Sequence, residues 1–116
     1  MELSKRNGLL IIAPRGPLTG GKEIDVLDDL LRRLNRENYD AHVIIDCSHI
    51  TMMNSAALGV LITAHVGFTR RGRQLVLANV TKRIVQIFRL TKLSQVFATH
   101  PTVADAINAL RATVPS

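Results

Sequence analysis

The chain alternates short apolar runs with segments of helical periodicity, and this alternation restricts its fold more than any other feature. Residues 42–47 (HVIIDC) and 74–78 (QLVLA) are short, rich in branched residues and apolar at almost every position, so they read as buried strands. Between and around them the period changes. Over residues 22–35, Ile24, Leu27, Leu31 and Leu34 recur at spacings of three and four, which is one face of a helix. Its acidic residues (Glu23, Asp25, Asp28, Asp29) precede its basic ones (Arg32, Arg33, Arg36), the order that a helix dipole favours. Further helices are expected over residues 55–70, stopped by Gly72, over 81–90, and over 101–111 with Val103, Ala106, Ile107 and Leu110 inward. Residues 2–6 and 9–15 read as strands joined at Asn7-Gly8, a dipeptide suited to a tight hairpin. Residues 95–98 are expected to form a last strand. Gly16-Pro17 and Gly20-Gly21 read as chain breaks, and a loop is expected between Cys47 and the helix at 55. Strands alternating with helices imply an α/β domain with a mixed sheet, successive strands lying side by side.

The chain has 116 residues, 47% of them hydrophobic, a length that suits one domain with its own core. The apolar fraction excludes a disordered chain. Residues 47–69 carry no charged side chain, but their front half is polar and their back half amphipathic, unlike a spanning helix. The apolar run at residues 9–13 is shorter than a secretory signal core and ends at Pro14-Arg15. A single cysteine, Cys47, cannot form an internal disulfide, and a reducing, cytoplasmic setting is expected.

The net charge of +6 is unevenly placed. Residues 1–46 hold seven Lys/Arg against eight Asp/Glu, whereas residues 47–116 hold eight against Asp105 alone. Arg70, Arg71, Arg73, Lys82, Arg83, Arg89 and Lys92 form a basic set that suits an acidic protein partner. With three Phe, one Tyr and no Trp there is no platform for stacking bases, and no helix-turn-helix pattern supports reading of duplex DNA. No direct nucleic-acid partner and no membrane insertion are expected.

Catalytic patterns fail on spacing. His42, His49, His65, His100 and Cys47 match no zinc-site pattern. Asp46, Ser48 and His49 have the residue types of a hydrolase triad, but they lie on a strand and its following loop, without a nucleophile elbow. Gly16, Gly20 and Gly21 lie between a strand and a helix but fit neither a dinucleotide fingerprint nor a Walker loop. No catalytic residue, metal site or cofactor is expected. The informative stretch is residues 50–61, where Asn54 or Ser55 caps a helix that opens with small residues, Ala56, Ala57 and Gly59. A partner could approach that bare first turn closely, and a phosphate added there would meet free backbone N–H groups.

This stretch, in its surroundings, resembles the STAS domain of anti-sigma-factor antagonists. Ile44-Ile45-Asp46 is similar to the family's strand ending in Asp, and Asn54-Ser55-Ala56-Ala57-Leu58-Gly59 to its Asp-Ser-Ser/Thr-Gly-Leu-Gly helix start. Gly16-Pro17-Leu18-Thr19 resembles its Gly-x-Leu-Asp, residues 71–77 its Gly-x-x-Leu-x-Leu strand, and residues 87–93 its Leu-x-x-Thr-Gly-Leu helix end. The order of these motifs implies a single STAS-like domain over residues 1–116, a mixed, mostly parallel sheet flanked by about four helices. The resemblance further implies a binding protein and not an enzyme. It implies phosphorylation at Ser55 by an anti-sigma factor with serine-kinase activity, and partner contact through Thr19, Asn54, Ala56, Ala57 and Leu58. The family's acidic positions are neutral here, at Asn54 and Thr19, and Ala56 and Ala57 replace a Ser/Thr and a Gly. These departures keep a second expectation open, a non-switching STAS subunit of an ABC-type membrane transport complex.

Overall fold

A computed structural model describes residues 1–113; the last three residues of the expected domain, 114–116, lie outside it. Strand β1 (Glu2–Arg6) turns at Asn7 and Gly8, both at positive φ, into β2 (Leu9–Ala13). That is the backbone a two-residue hairpin requires. Strand β3 (Gly16–Leu18) leads to helix α1 (Lys22–Arg36), and β4 (Val43–Asp46) and β5 (Ile50–Met53) to α2 (Ser55–Arg70). The chain finishes with β6 (Leu75–Ala78), α3 (Lys82–Leu90), β7 (Thr99–His100) and α4 (Val103–Thr113).

The main sheet has the order β1-β2-β4-β6-β7, antiparallel only between β1 and β2. Its strands thus lie side by side in chain order, as the crossover rule requires. Both faces of its central strands β2, β4 and β6 are covered, which explains the apolar runs. Leu10, Ile12, Val43, Ile45, Leu75 and Leu77 face α1, α2 and α3, where Leu27, Leu31, Leu61, Phe68 and Ile84 are almost fully buried. The alternate residues Leu9, Ile11, Ile44, Val76 and Ala78 face α4 through Ala106, Ile107 and Leu110.

Four local readings are corrected. The first hairpin's second strand stops at Ala13, since Pro14 has no N–H to offer a ladder. Gly16–Leu18 and Ile50–Met53, read as a break and a loop, pair with each other as a separate parallel ladder. Residues 95–98 are not a strand. Val96 N–H closes a turn on Leu93 O at 3.0 Å, Phe97 plugs the core, and pairing with β6 is carried by Thr99 and His100. The expected collective role of the basic set loses two members. Arg71 donates to Tyr39 O (2.7 Å) and Asn35 Oδ1 (3.0 Å) and lies over the Phe68 ring, while Arg73 pairs with Asp40.

Two buried or strained positions carry measurable consequences. Lys92 ends α3 at φ 62°, the left-handed conformation that favours glycine, because Leu93 N–H must reach back to Phe88 O at 2.7 Å. Lys92→Gly should stabilise the fold by about 0.5–1 kcal/mol, the relief of the side-chain clash less the added freedom of the unfolded chain. Urea unfolding would show it as a higher midpoint at unchanged slope. His42 is buried, and its Nδ1 accepts the Gln74 N–H at 2.9 Å. Burial first, and the Arg73 charge second, push its pKa below the ordinary imidazole value. The unfolded chain therefore takes the proton first, so this contribution is intact above about pH 6.5 and lost as pH falls below it. Thermal unfolding between pH 7 and pH 5 should show this loss, and His42→Asn, which keeps an acceptor, should reduce it.

Candidate functional site

The β3–β5 ladder brings together the two segments that the sequence singles out. Gly16 N–H donates to His49 O at 2.8 Å, Leu18 is paired with Met53, and Asn54 N–H donates to Leu18 O at 3.1 Å. Thr19 follows Leu18 directly and is exposed, so it lies beside Asn54 at the common end of two parallel strands. Leu18 and Met53 are buried and anchor this end, while Pro17 and Met52, opposite each other in the ladder, are exposed along its flank.

Of the two candidate caps, Asn54 is the one used. It is extended (φ −106°, ψ −177°), and its Oδ1 accepts the Ala57 N–H at 3.0 Å, which fixes the start of α2. Ser55 is the first helical residue, exposed, and its hydroxyl has no hydrogen-bond partner among the described residues. Ala56 and Gly59 are exposed beside it. Ala57 and Leu58 are buried, 1% and 6% exposed, so they hold the helix start from beneath. Thr19, Ser55, Ala56 and part of Asn54 form the surface itself.

This surface carries no acidic side chain in the first turn of α2, and no Asp, Glu, Lys or Arg follows along the helix before Arg70. The first N–H groups of a helix lack intrahelical acceptors, and Asn54 satisfies only one of them. The positive end of the helix dipole therefore meets an exposed, uncharged hydroxyl. The site offers an exposed hydroxyl on a surface of small residues, with no general base placed on Ser55 among the described residues.

Asp46, at the end of β4, stabilises the floor of this region. Burial raises its pKa, but bonds from Asn79 Nδ2 (3.1 Å) and Ser48 N–H (3.0 Å), together with His49, outweigh that and leave it lowered. Its charged form thus ties the ends of β4 and β6 together. Asp46, Ser48 and His49 are not assembled as a triad, since both Ser48 bonds run to the Asp46 carboxylate and the His49 ring makes no hydrogen bond to either residue among the described residues. Cys47 is buried, and burial, then the Asp46 charge, pushes its thiol up to about 12, where it is unreactive. His65 meets the Phe97 ring edge-on in the core. No group of three His, Cys, Asp or Glu comes together among the described residues, and none of their helices is long and apolar enough to cross a membrane.

Comparison with solved structures places this arrangement among known folds. The protein TM1081 of Thermotoga maritima superposes with a TM-score of 0.84 at 15% identity, covering 95% of this chain and 93% of that one. The anti-sigma factor antagonist SpoIIAA of Bacillus, in its unphosphorylated form, gives 0.74 at 10% identity, covering 97% and 98%. A sulfate transporter family protein of Wolinella succinogenes gives 0.76 at 13% identity, covering 92% and 88%. At these identities the likeness establishes the fold, and that fold serves both anti-sigma antagonists and transporter-associated domains. The family model of the STAS domain matches residues 1–106, and the chain therefore belongs to the STAS domain family.

Proposed function

We propose that this chain is an anti-sigma-factor antagonist that binds its anti-sigma factor, a serine kinase, when Ser55 is unmodified and releases it on phosphorylation. The observation that carries this reading is the convergence of Thr19 and Ser55 on one exposed, uncharged surface at the start of α2. A partner docked there buries the Ser55 hydroxyl at little electrostatic cost. Phosphorylation adds about −1.5 to −2 charges and three acceptor oxygens at that point. Burying such a charge against a surface built for a small neutral group costs several kcal/mol. The free N–H groups of the helix start stabilise the phosphate in the unbound protein, which widens the gap between the two states. The protein would act as a binding component in the cytoplasm, with no chemistry of its own.

Thr19, Ser55 and Ala56 would make the contact, with Asn54 at its edge and Ala57 and Leu58 fixing its shape. The likeness to SpoIIAA, solved in both unphosphorylated and phosphorylated forms, supports the reading. The neutral Asn54 and Thr19 and the transporter-family neighbour support the alternative, a STAS subunit held by a transport ATPase without a switch. Titration calorimetry with the anti-sigma kinase separates them. Ser55→Ala should bind like the wild type and escape phosphorylation, while Ser55→Asp should bind about ten- to a hundredfold more weakly. Equal affinity of all three forms would remove the switch.

A further inference from the structure

We infer that the protein self-associates through the free edge of its main sheet, β1 pairing antiparallel with β1 of a second copy about a two-fold axis at Ser4. Among the described residues strand β1 is bonded on one side only, to β2, and all five of its residues are exposed. Its outer N–H and C=O groups are a template for another strand. Beside this edge runs a groove of about 300 Å³ lined by Met1, Leu3, Val26, Asp29, Leu30 and Arg33, in which Leu3 and Val26 are half exposed. Glu2, Ser4 and Arg6 line a cleft on the opposite face, beside α4.

The charge pattern of β1 selects the occupant and the register. A two-fold axis normal to the sheet keeps each face on its own side, so opposed residues must both be even-numbered or both odd. Centred on Lys5, such a pairing opposes two lysines. Centred on Leu3, it leaves Arg6 without a counter-charge. Centred on Ser4, it sets Glu2 against Arg6 of the second copy twice over, on the α4 face. On the α1 face the same register makes the two Leu3 side chains diagonal neighbours, about 7–8 Å apart, and covers the exposed pair of grooves. It also carries Lys5 of the second copy to the side of Leu3, next to Asp29, whose carboxylate makes no ion pair or hydrogen bond among the described residues. Glu2 meets Arg15 at 2.9 Å within the chain, and its carboxylate has acceptor capacity for both arginines. The start of α2 is not part of this edge, so each copy keeps its Ser55 surface free and the inference stands apart from the proposed function.

Sedimentation velocity on protein without an N-terminal tag, at about 100 µM, tests this. The wild type should sediment as a dimer of 12.8 kDa chains. The Arg6 side chain is exposed and makes no hydrogen bond or ion pair among the described residues, so Arg6→Glu should leave the circular dichroism spectrum and melting temperature unchanged. It opposes two carboxylates twice and should raise the dissociation constant about tenfold or more. Adding Glu2→Arg to it reverses both members of each pair and should restore the dimer. A wild-type monomer, a dimer indifferent to Arg6→Glu, or a double variant that stays monomeric would each overturn the inference.

Discussion

Strand β4 is the constraint on which the rest of the molecule depends. Val43, Ile44 and Ile45 are fully buried, so every backbone N–H and C=O between them must be satisfied by other strands and not by water. β2 and β6 do this from either side, and because both run parallel to β4, each connection must cross over a face of the sheet. The crossovers are the helices, and their apolar stripes exist to cover what β4 exposes above and below. Parallel strands also gather their C-terminal ends at one edge. Asp46, the β5 ladder and the α2 start all lie at that end, so the architecture delivers the site there before any functional residue is chosen.

At that end the surface has the neutrality that the proposed phosphorylation switch calls for. The α2 start is held by backbone pairing to Leu18 and by the Asn54 cap, not by ion pairs, and its outward residues are small and neutral. A neutral surface loses little when a partner excludes water from it. The same surface is sensitive to one added charge, because no cationic side chain stands in the first turn of α2 to neutralise it. The basic residues lie elsewhere. Arg71 and Arg73 brace the α1–α2 side of the fold through Asn35, Tyr39 and Asp40, which makes them structural cations.

How much of this was legible follows from element length. Residues 42–47 and 74–78 announce buried strands because β-branched and apolar residues fill nearly every position. Residues 22–35 announce a helix because their leucines repeat at three and four. β3 and β5 were hidden, since three residues containing Gly16-Pro17 and four around Thr51 carry no measurable period and take their structure from each other. The two-residue β7 is shorter still, and the more apolar Val96-Phe97-Ala98 drew the strand to the wrong place because Phe97 serves the core and not the ladder. In the site, Asn54 and Ser55 were visible as a helix start, whereas Thr19 was visible only through family resemblance. Its position beside Asn54 depends on the hidden ladder. That Ala57 and Leu58 face inward while Ala56 faces outward is a matter of helical phase, which small residues do not reveal.

The central claim is that Ser55 is modified, and that the modification governs binding. Phosphosite mapping by mass spectrometry, on the protein isolated from its own cells in both its free and partner-bound pools, tests this most directly. The expected result is phosphate on Ser55 in the free pool, and unmodified Ser55 in the pool held by a serine kinase. Unmodified Ser55 in both pools, with a transport ATPase as the bound protein, would contradict it.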